Sequence, residues 1–257
     1  MSSASQTLEE VKLACRQLGD DRVNTRIKAQ QTLRELINSM SVCRSLDNAS
    51  AHGKVQIWTW QDVYRTSLGY IYKEIDTISG NAEKTSDVYR DRKKRTAIGL
   101  FKLIISKSKQ YLSWSSVIND LLQCLDHPYM IEYFSGDILR IISDAVTFPY
   151  SRSMFTVGRD NQWIRTLVKL MEIYENPPSS LDPLSPAQLL HNLILYGTQM
   201  TNMLEMFKKE RLWNILKSLI VTDKFARSDS DAKLYVILAA NCLMRHAGLD
   251  CRQLCVR

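Results

Sequence analysis

The chain has 257 residues, of which 45% are hydrophobic and 24% are charged, and its net charge at pH 7 is +7. These are ordinary values for a globular protein, and a chain of this length buries enough apolar surface to fold without disulfides or a structural metal. They exclude disorder throughout and a disulfide-dependent miniature fold. The sequence has neither a signal-peptide core nor an apolar run of membrane-span length, so we expect reduced cysteines in the cytosol or nucleus.

Glycine and proline are scarce, with nine and six residues. Glycine therefore stands at about half of its usual share, which is roughly 7%. Both residues interrupt helices, and proteins rich in sheet need many of them in turns. The composition predicts long helices joined by short connections.

The first two predicted helices lie on either side of Gly19. The buried face of the first is a stripe at steps of three and four residues: Leu8, Val11, Cys15 and Leu18. Gly19 is expected to end this helix, and Asp20 or Asp21 to cap the second. The buried face of the second is predicted to carry Ile27, Leu33, Leu36, Ile37 and Met40.

A third helix is predicted to open at Thr59, because Thr59-Trp60-Gln61-Asp62 has the form of a capping box. Its buried stripe is Val63, Tyr70, Ile71, Ile75 and Ile78. After a loop from Gly80 to Asp87 we expect a basic helix. Its inward residues are Ile98, Phe101, Ile104 and Ile105.

The same spacing predicts six later helices, and prolines at 128 and 149 end the first two. The stripes of the first three are Val117, Ile118, Leu121, Leu122 and Leu125; Ile131, Phe134, Ile138, Ile141, Ile142 and Ala145; and Trp163, Leu167, Leu170, Met171 and Tyr174. The next two are Leu189, Leu190, Leu193 and Tyr196; and Leu212, Trp213, Ile215, Leu216, Leu219 and Ile220. The last helix runs from about Asp229 to Arg245, just before Gly248.

The clearest break in the chain is 176–185, NPPSSLDPLS, which holds three of the six prolines. We expect a Pro-rich linker here, helical repeats over 1–175 before it, and continuing repeats over 186–257 after it. A helix should restart at Ser185, because Pro186 is tolerated in a first turn. The abrupt final residues predict a truncated or mis-spliced end.

The predicted fold class is all-α, with about ten helices in antiparallel pairs. Pairs of amphipathic helices stack so that each buries its face against its neighbours, and a pair spacing of roughly 40–47 residues is typical of HEAT-like repeats. We therefore expect a HEAT-like solenoid. A compact helical bundle is the competing architecture.

Catalytic and phosphate-binding motifs are absent from the sequence. The two closest glycines, Gly69 and Gly80, are too far apart for a phosphate-binding loop, and no protein-kinase core string occurs. We predict no catalytic, cofactor-binding or metal-ligating residue here. The spacing of Cys242, His246, Cys251 and Cys255 resembles that of zinc ligands, but paired Cys-x-x-Cys knuckles are missing, and unrelated side chains are the preferred interpretation.

The positive charge is concentrated between residues 81 and 110, where nine basic residues face three acidic ones. Its centre is a basic patch formed by Arg90, Arg92, Lys93, Lys94 and Arg95. Three interpretations stay open: a nuclear-localisation or nucleic-acid site, the solvated face of a helix, and a contact with an acidic protein. The five tryptophans, in contrast, are predicted to be core residues: Trp58, Trp60, Trp114, Trp163 and Trp213.

Most of residues 10–175 resemble a known family. They are similar to the N-terminal region of the ATM-type kinases, including the motif named for telomere-length maintenance and DNA-damage repair. The motif spans about 13–40, and its residues here are Cys15, Arg16, Gln17, Leu18, Asp21, Arg22, Arg26, Lys28, Leu33, Leu36 and Ile37. The next family helix is matched by Trp60-Gln61-Asp62-Val63-Tyr64-Arg65, then Tyr70-Ile71 and Lys73-Glu74. The similarity is strong over 13–75 and looser to 175, and beyond Pro177 it is not placed residue by residue.

The resemblance implies a function that composition does not. ATM-type proteins are very large nuclear serine/threonine kinases of the phosphatidylinositol-3-kinase-related group, and they act in double-strand-break signalling, checkpoint control and telomere maintenance. Their N-terminal solenoid binds partners and regulates a kinase domain at the far C-terminus. The resemblance therefore implies that ATP and Mg belong to that domain, which these 257 residues do not contain, and that this segment is a non-catalytic scaffold.

The motif itself has two open interpretations, centred on Arg16, Asp21, Arg22, Arg26 and Lys28. One is an inter-helix salt-bridge network, in which Asp20 or Asp21 pairs with Arg16 or Arg26. The other is a contact surface for partner proteins or for another part of a kinase.

We expect DNA-damage sensor or adaptor proteins as partners, DNA contact through the basic patch, and neither a membrane nor a small-molecule substrate. The expected compartment is the nucleus, with the cytoplasm as a second one. The alternative function is that of a free-standing helical-repeat adaptor without a kinase domain.

Overall fold

The computed structural model describes residues 3–52, 58–80, 87–149, 162–178, 181–197 and 230–247. These residues form ten α-helices and no β-strand, which confirms the predicted all-α class. The helices are α1 (Ser3–Leu18), α2 (Val23–Asn38), α3 (Met40–His52), α4 (Trp60–Gly80), α5 (Asp87–Ser108), α6 (Trp114–Cys124), α7 (Pro128–Thr147), α8 (Gln162–Glu175), α9 (Leu184–Gly197) and α10 (Ser230–Ala247). Within the described ranges, no helix is both long and apolar enough to cross a bilayer.

The chain divides into two compact units, Met1–Ser113 and Trp114–Arg257. Unit 1 contains α1 to α5, and unit 2 contains α6 to α10. Helix α9 begins at Leu184, one residue before its predicted start, and carries Pro186 in its first turn. The division of the chain at 176–185 stays a prediction.

Unit 2 repeats a helix pair. Hydrogen bonds join α6 to α8 at three levels, Ser115 to Gln162, Asn119 to Arg165 and Asp126 (just after α6) to Lys169, with sequence separations of 47, 46 and 43 residues. Bonds from Arg140 to Ser185 and from Asn192 to Ser143 join α7 to α9 with separations of 45 and 49 residues. Because the separation stays nearly constant along each couple, both couples run parallel. The pair α6/α7 therefore recurs as α8/α9, in the manner of a helical repeat.

Unit 1 contains the pairs α1/α2 and α4/α5. The rings of Tyr64 and Phe101 lie 5.5 Å apart, and the side-chain oxygen of Gln61 accepts a hydrogen bond from the Ser113 amide, so α4 and α5 are antiparallel. Helix α3, which was not predicted, lies between the two pairs in sequence. Because α3 is inserted there, bonded residues of neighbouring pairs are further apart in sequence than in unit 2. Gln30 of α2 donates to Thr96 of α5, which lies 66 residues later.

Helix α4 begins at Trp60, one residue after its predicted start, and Asp62 makes the carboxylate half of the predicted capping box. The Asp62 carboxylate accepts hydrogen bonds from the Thr59 amide at 2.9 Å and from the Thr59 hydroxyl at 2.7 Å. Trp60 follows at the first helical position and is completely buried, with its indole N–H donating to Asp47. Trp114 and Trp163 are buried at the starts of α6 and α8, which confirms their core role, whereas Trp58 is only partly buried.

Most of the predicted stripes are buried, but that of α2 is partly wrong. Leu33 and Ile37 are buried as predicted, whereas Ile27 is 36% exposed and Met40, 72% exposed, begins α3 instead. Arg26 and Gln30 take the vacated buried positions. A stripe drawn through apolar residues alone missed them, because each has hydrogen-bond partners that permit burial.

Some predictions about the helices and loops lie outside the described residues. They are the loop between Gly80 and Asp87, the helix of Leu212 to Ile220 with Trp213, and the side chain of Ile78.

Candidate functional site

The motif residues meet at the turn between α1 and α2. Arg22 occupies the N-cap of α2 in an extended conformation, without a side-chain capping bond. The Asp20 carboxylate instead accepts hydrogen bonds from the Arg22 amide at 2.8 Å and from its guanidinium at 3.1 Å. Asp20 thus fixes the turn by binding Arg22, rather than by pairing with Arg16 or Arg26 as the sequence suggested.

Arg26 connects this turn to α4. Its Nε donates to Glu74 Oε1 at 2.6 Å, and its Nη2 donates to Thr77 Oγ1 at 3.2 Å. Its Nη1 donates to the main-chain carbonyls of Asp20 and Asp21 at 3.0 and 2.9 Å. The side chains of Arg26 and Glu74 are only 1% and 4% exposed, so this is a buried ion pair that fixes the register of α2 against α4.

Lys73 forms a second link between the same elements. Its ammonium group donates to the Gly19 carbonyl and, at 2.7 Å, to the Asp21 carboxylate. The partner of the Asp21 carboxylate is thus Lys73 and not Arg16 or Arg26. An inter-helix charge network exists, as one interpretation anticipated, but it joins the α1–α2 turn to the C-terminal half of α4.

These contacts move the titration of the exposed charges in the turn. The hydrogen bond from Lys73, with its positive charge, lowers the pKa of Asp21, and the bonds from Arg22 lower the pKa of Asp20. The Asp20 carboxylate in turn raises the pKa of Arg22. All three groups are therefore charged at neutral pH, and the turn is a charged structure on the surface of unit 1.

The remaining motif cations face solvent. Arg16 and Lys28 are exposed, and neither has an ion-pair partner in the part of the chain that the structure describes. The Arg22 side chain is 80% exposed although it binds Asp20. The motif is therefore split. Arg26 and Asp21 hold the structure together, whereas Arg16, Arg22 and Lys28 present positive charge outward.

Cys15, which opens the motif, has a structural role. It is completely buried in α1, and burial raises the pKa of its thiol to about 12. A thiol with that pKa stays protonated at physiological pH, so it is neither a nucleophile nor a ready metal ligand.

Sequence analysis did not assign a role to Glu74, Lys73 or Thr77. A signal for Glu74 was present, since it lies between Ile71 and Ile75 on the buried side of α4. A carboxylate on an apolar stripe requires a buried cation as its partner. Only the fold reveals that this cation is Arg26, 48 residues away.

The basic patch lies in the N-terminal half of α5. The helix covers all five of its residues, but the side chains of Arg90, Arg92, Lys93 and Lys94 lie outside the described residues. Arg95 is exposed on the helix surface.

The cysteine-rich end of the sequence is described only in part. Of Cys242, His246, Cys251 and Cys255, only the Cys242 side chain is described, and it is half-buried in α10. In the described ranges, no group of three or more metal-binding side chains comes together.

The chain is similar to a known protein over most of its length. No protein-family model matches the chain. The chain is 22% identical over 192 residues to the serine-protein kinase ATM of Sus scrofa. The matched region covers 72% of this chain and 6% of that kinase, so the chain spans only a small part of the length of the relative it matches.

Proposed function

We propose that this chain is a non-catalytic, N-terminal scaffold segment of an ATM-like serine/threonine kinase that acts in double-strand-break signalling, checkpoint control and telomere maintenance. In this function the segment positions partner proteins and regulates a kinase domain elsewhere in the protein. ATP and Mg would bind in that domain. The compartment would be the nucleus.

The similarity to the Sus scrofa kinase supports this function most strongly, because it extends over 72% of the chain. The resemblance in residues 13–75 adds to it, since those residues include both halves of the Arg26–Glu74 pair. A buried ion pair requires both partners, so a sequence that matches at only one of them would not form this contact between α2 and α4.

The repeat architecture of each unit is also suited to a scaffold. Stacked helix pairs present extended surfaces, and stability depends on neighbouring repeats rather than on a central cavity. The outward cations Arg16, Arg22 and Lys28 then form a candidate contact surface, which we call the motif surface. Its charge favours an acidic region on a DNA-damage sensor or adaptor protein.

A binding experiment with a purified break-sensor protein tests this function. The double variant Arg16→Glu/Lys28→Glu should lose at least tenfold in affinity, because two attractive charges become repulsive at the interface. Arg44→Glu/Arg245→Glu is a matched control, since both residues are exposed elsewhere and the change in net charge is the same. Equal affinities of the two variants would contradict a role for the motif surface.

A further inference from the structure

We propose that an aromatic and acidic surface of unit 2 binds the arginine side chains of a basic peptide segment from a partner protein. This surface, which we call the tyrosine surface, consists of Tyr129, Glu132, Tyr133 and Asp137 in the N-terminal half of α7. It belongs to unit 2 and attracts cations, whereas the motif surface belongs to unit 1 and attracts anions. It therefore stands independently of the proposed scaffold function.

Two tyrosines of α7 are exposed although the helix is otherwise rich in core residues. Tyr129 and Tyr133 are 45% and 41% exposed, whereas the adjacent Met130 and Phe134 are almost completely buried. The core face of α7 is thus filled by other side chains, and the two rings extend along the opposite side of the helix. Tyrosine is enriched at protein interfaces, because its ring offers a large apolar contact and its hydroxyl tolerates water.

The two exposed rings suit a flat cation. Their centroids are 6.5 Å apart, and their planes differ in orientation by only 8°. The ring of His127 continues the row at 6.1 Å from that of Tyr129. A guanidinium is attracted to the face of an aromatic ring when it lies within about 6 Å of the ring centroid. Because the tyrosine planes are nearly parallel, one orientation of a guanidinium plane is parallel to both of them.

The charge around the rings favours a cation over an anion. Residues 110–139 include four acidic residues and neither lysine nor arginine, although the whole chain carries a net charge of +7. Glu132 follows Tyr129 by three positions and Asp137 follows Tyr133 by four, so each carboxylate neighbours a tyrosine on the helix surface. These carboxylates attract a positively charged ligand and repel phosphate.

Two cations at the borders of the tyrosine surface already have carboxylate partners. Lys169 of α8 donates to Asp126, just before α7, at 2.5 Å. Arg140 lies on a later turn of α7 and pairs with Asp182 at 3.7 Å. Each of these positive charges is thus balanced by a carboxylate, and the acidic character of the surface between them is retained.

An arginine-bearing peptide matches both the rings and the charge. Single-stranded nucleic acids also stack on aromatic side chains, but their binding sites carry positive charge along the backbone. Proline-rich peptides bind in aromatic grooves through ring packing and do not require carboxylates. The arginine side chain combines a planar group that stacks on aromatic faces with a charge that pairs with carboxylates.

Fluorescence anisotropy of a labelled Arg/Gly-repeat peptide, titrated with the full chain, tests the role of the rings. We expect Tyr129→Ala/Tyr133→Ala to bind about tenfold more weakly, because two cation–π contacts are lost. Tyr129→Phe/Tyr133→Phe keeps both rings and should bind within about twofold of the unaltered chain.

A matched control removes two exposed apolar side chains from another helix of the same unit. Leu234 and Ile237 of α10 are 53% and 55% exposed, and Leu234→Ala/Ile237→Ala should leave peptide binding unchanged. If the tyrosine-to-alanine variant does not fold, as judged by circular dichroism, Tyr129→Leu/Tyr133→Leu takes its place. Leucine keeps apolar bulk but has no aromatic face, so the same tenfold loss is expected.

A second pair of variants tests the carboxylates. Glu132→Gln/Asp137→Asn should weaken binding of the Arg/Gly peptide about fivefold at low salt, and the difference should shrink as salt screens the charges. Glu10→Gln/Glu35→Gln removes the same charge from exposed positions of unit 1 and should have no effect.

The choice of ligand decides between the three chemistries. An Arg/Gly peptide should bind more tightly than a Lys/Gly peptide of the same length, because only the guanidinium is planar. Equal loss of binding in the tyrosine-to-alanine and the Leu234/Ile237 variants would overturn the proposal. So would tighter binding of an uncharged proline-rich peptide, or of single-stranded oligothymidine, than of the Arg/Gly peptide at the same salt concentration.

Discussion

The two units join their helices across the repeat by different chemistry. In unit 1, α2 is held to α4 by the buried Arg26–Glu74 ion pair and by the exposed Lys73–Asp21 pair. In unit 2, the buried link between α7 and α9 is neutral, since the amide of Asn192 donates to the hydroxyl of Ser143 at 2.8 Å. The ion pairs in the described part of unit 2, such as Lys169 with Asp126, reach solvent.

The two kinds of contact constrain the register of the helices to different degrees. A buried ion pair adds little net stability, but its loss on one side leaves a charge uncompensated, so it penalises every other register of the helices. Arg26 makes four hydrogen bonds, two of them to main-chain carbonyls, and a shifted helix would lose most of them. A neutral amide–hydroxyl bond tolerates change more easily.

The largest effect on stability is expected when the buried Arg26–Glu74 ion pair loses its cation. Arg26→Ala leaves Glu74 buried without a partner, and we expect unit 1 to lose about 3–5 kcal/mol of unfolding free energy. Chemical denaturation followed by circular dichroism, with hydrogen exchange to locate the change, measures it. The control Arg22→Ala removes an exposed cation and should cost less than about 1 kcal/mol. A loss below about 1 kcal/mol for Arg26→Ala would show that Glu74 is not desolvated.

Removing both charges together should restore most of that loss. In Arg26→Met/Glu74→Leu, apolar side chains of similar volume replace the pair and no charge remains buried, so we expect stability within about 2 kcal/mol of the unaltered chain. The same denaturation experiment compares the double variant with Arg26→Ala. If the double variant is as unstable as the single one, the bonds of Arg26 to the Asp20 and Asp21 carbonyls matter more than its charge.

The neutral Asn192–Ser143 contact of unit 2 should be less sensitive to the loss of one partner. Asn192→Ala leaves the buried Ser143 hydroxyl without its amide donor, and we expect a loss of about 1–3 kcal/mol. Asn192→Ala/Ser143→Ala removes both partners and should be closer to the unaltered chain than the single variant. Hydrogen exchange in α7 and α9 reports on both. If Asn192→Ala loses as much stability as Arg26→Ala, the distinction between the neutral and the charged contact is wrong.

The smallest effect concerns pH. The folded pKa of Asp21 lies below its ordinary value of 3.8, because Lys73 stabilises the carboxylate. Its contribution to stability is therefore present above the unfolded pKa and is lost as the pH falls through the folded value. Below pH 3.8 the unaltered chain should lose stability more steeply than Asp21→Asn, as measured by acid denaturation of unit 1. Identical slopes would indicate that the Lys73 contact does not persist in solution.

The sequence predicted the helices better than the contacts between them. Apolar spacing located the stripes of α6 and α7, and the capping box located the start of α4, because both signals are local. Arg26 and Glu74 could not be paired from sequence, since they lie 48 positions apart and no local pattern links the two. Helix α3 was missed because the predicted stripe of α2 was extended to Met40, across the helix end at Asn38.

The proposal that this chain is a segment of an ATM-like kinase is tested most directly on the endogenous protein. An antibody against this segment should precipitate a polypeptide far larger than the 29.6 kDa of these 257 residues. We predict that the precipitate phosphorylates serine in peptide substrates and that its activity increases after DNA breakage. A single species of 29.6 kDa without kinase activity would contradict this account and identify a free-standing helical-repeat adaptor.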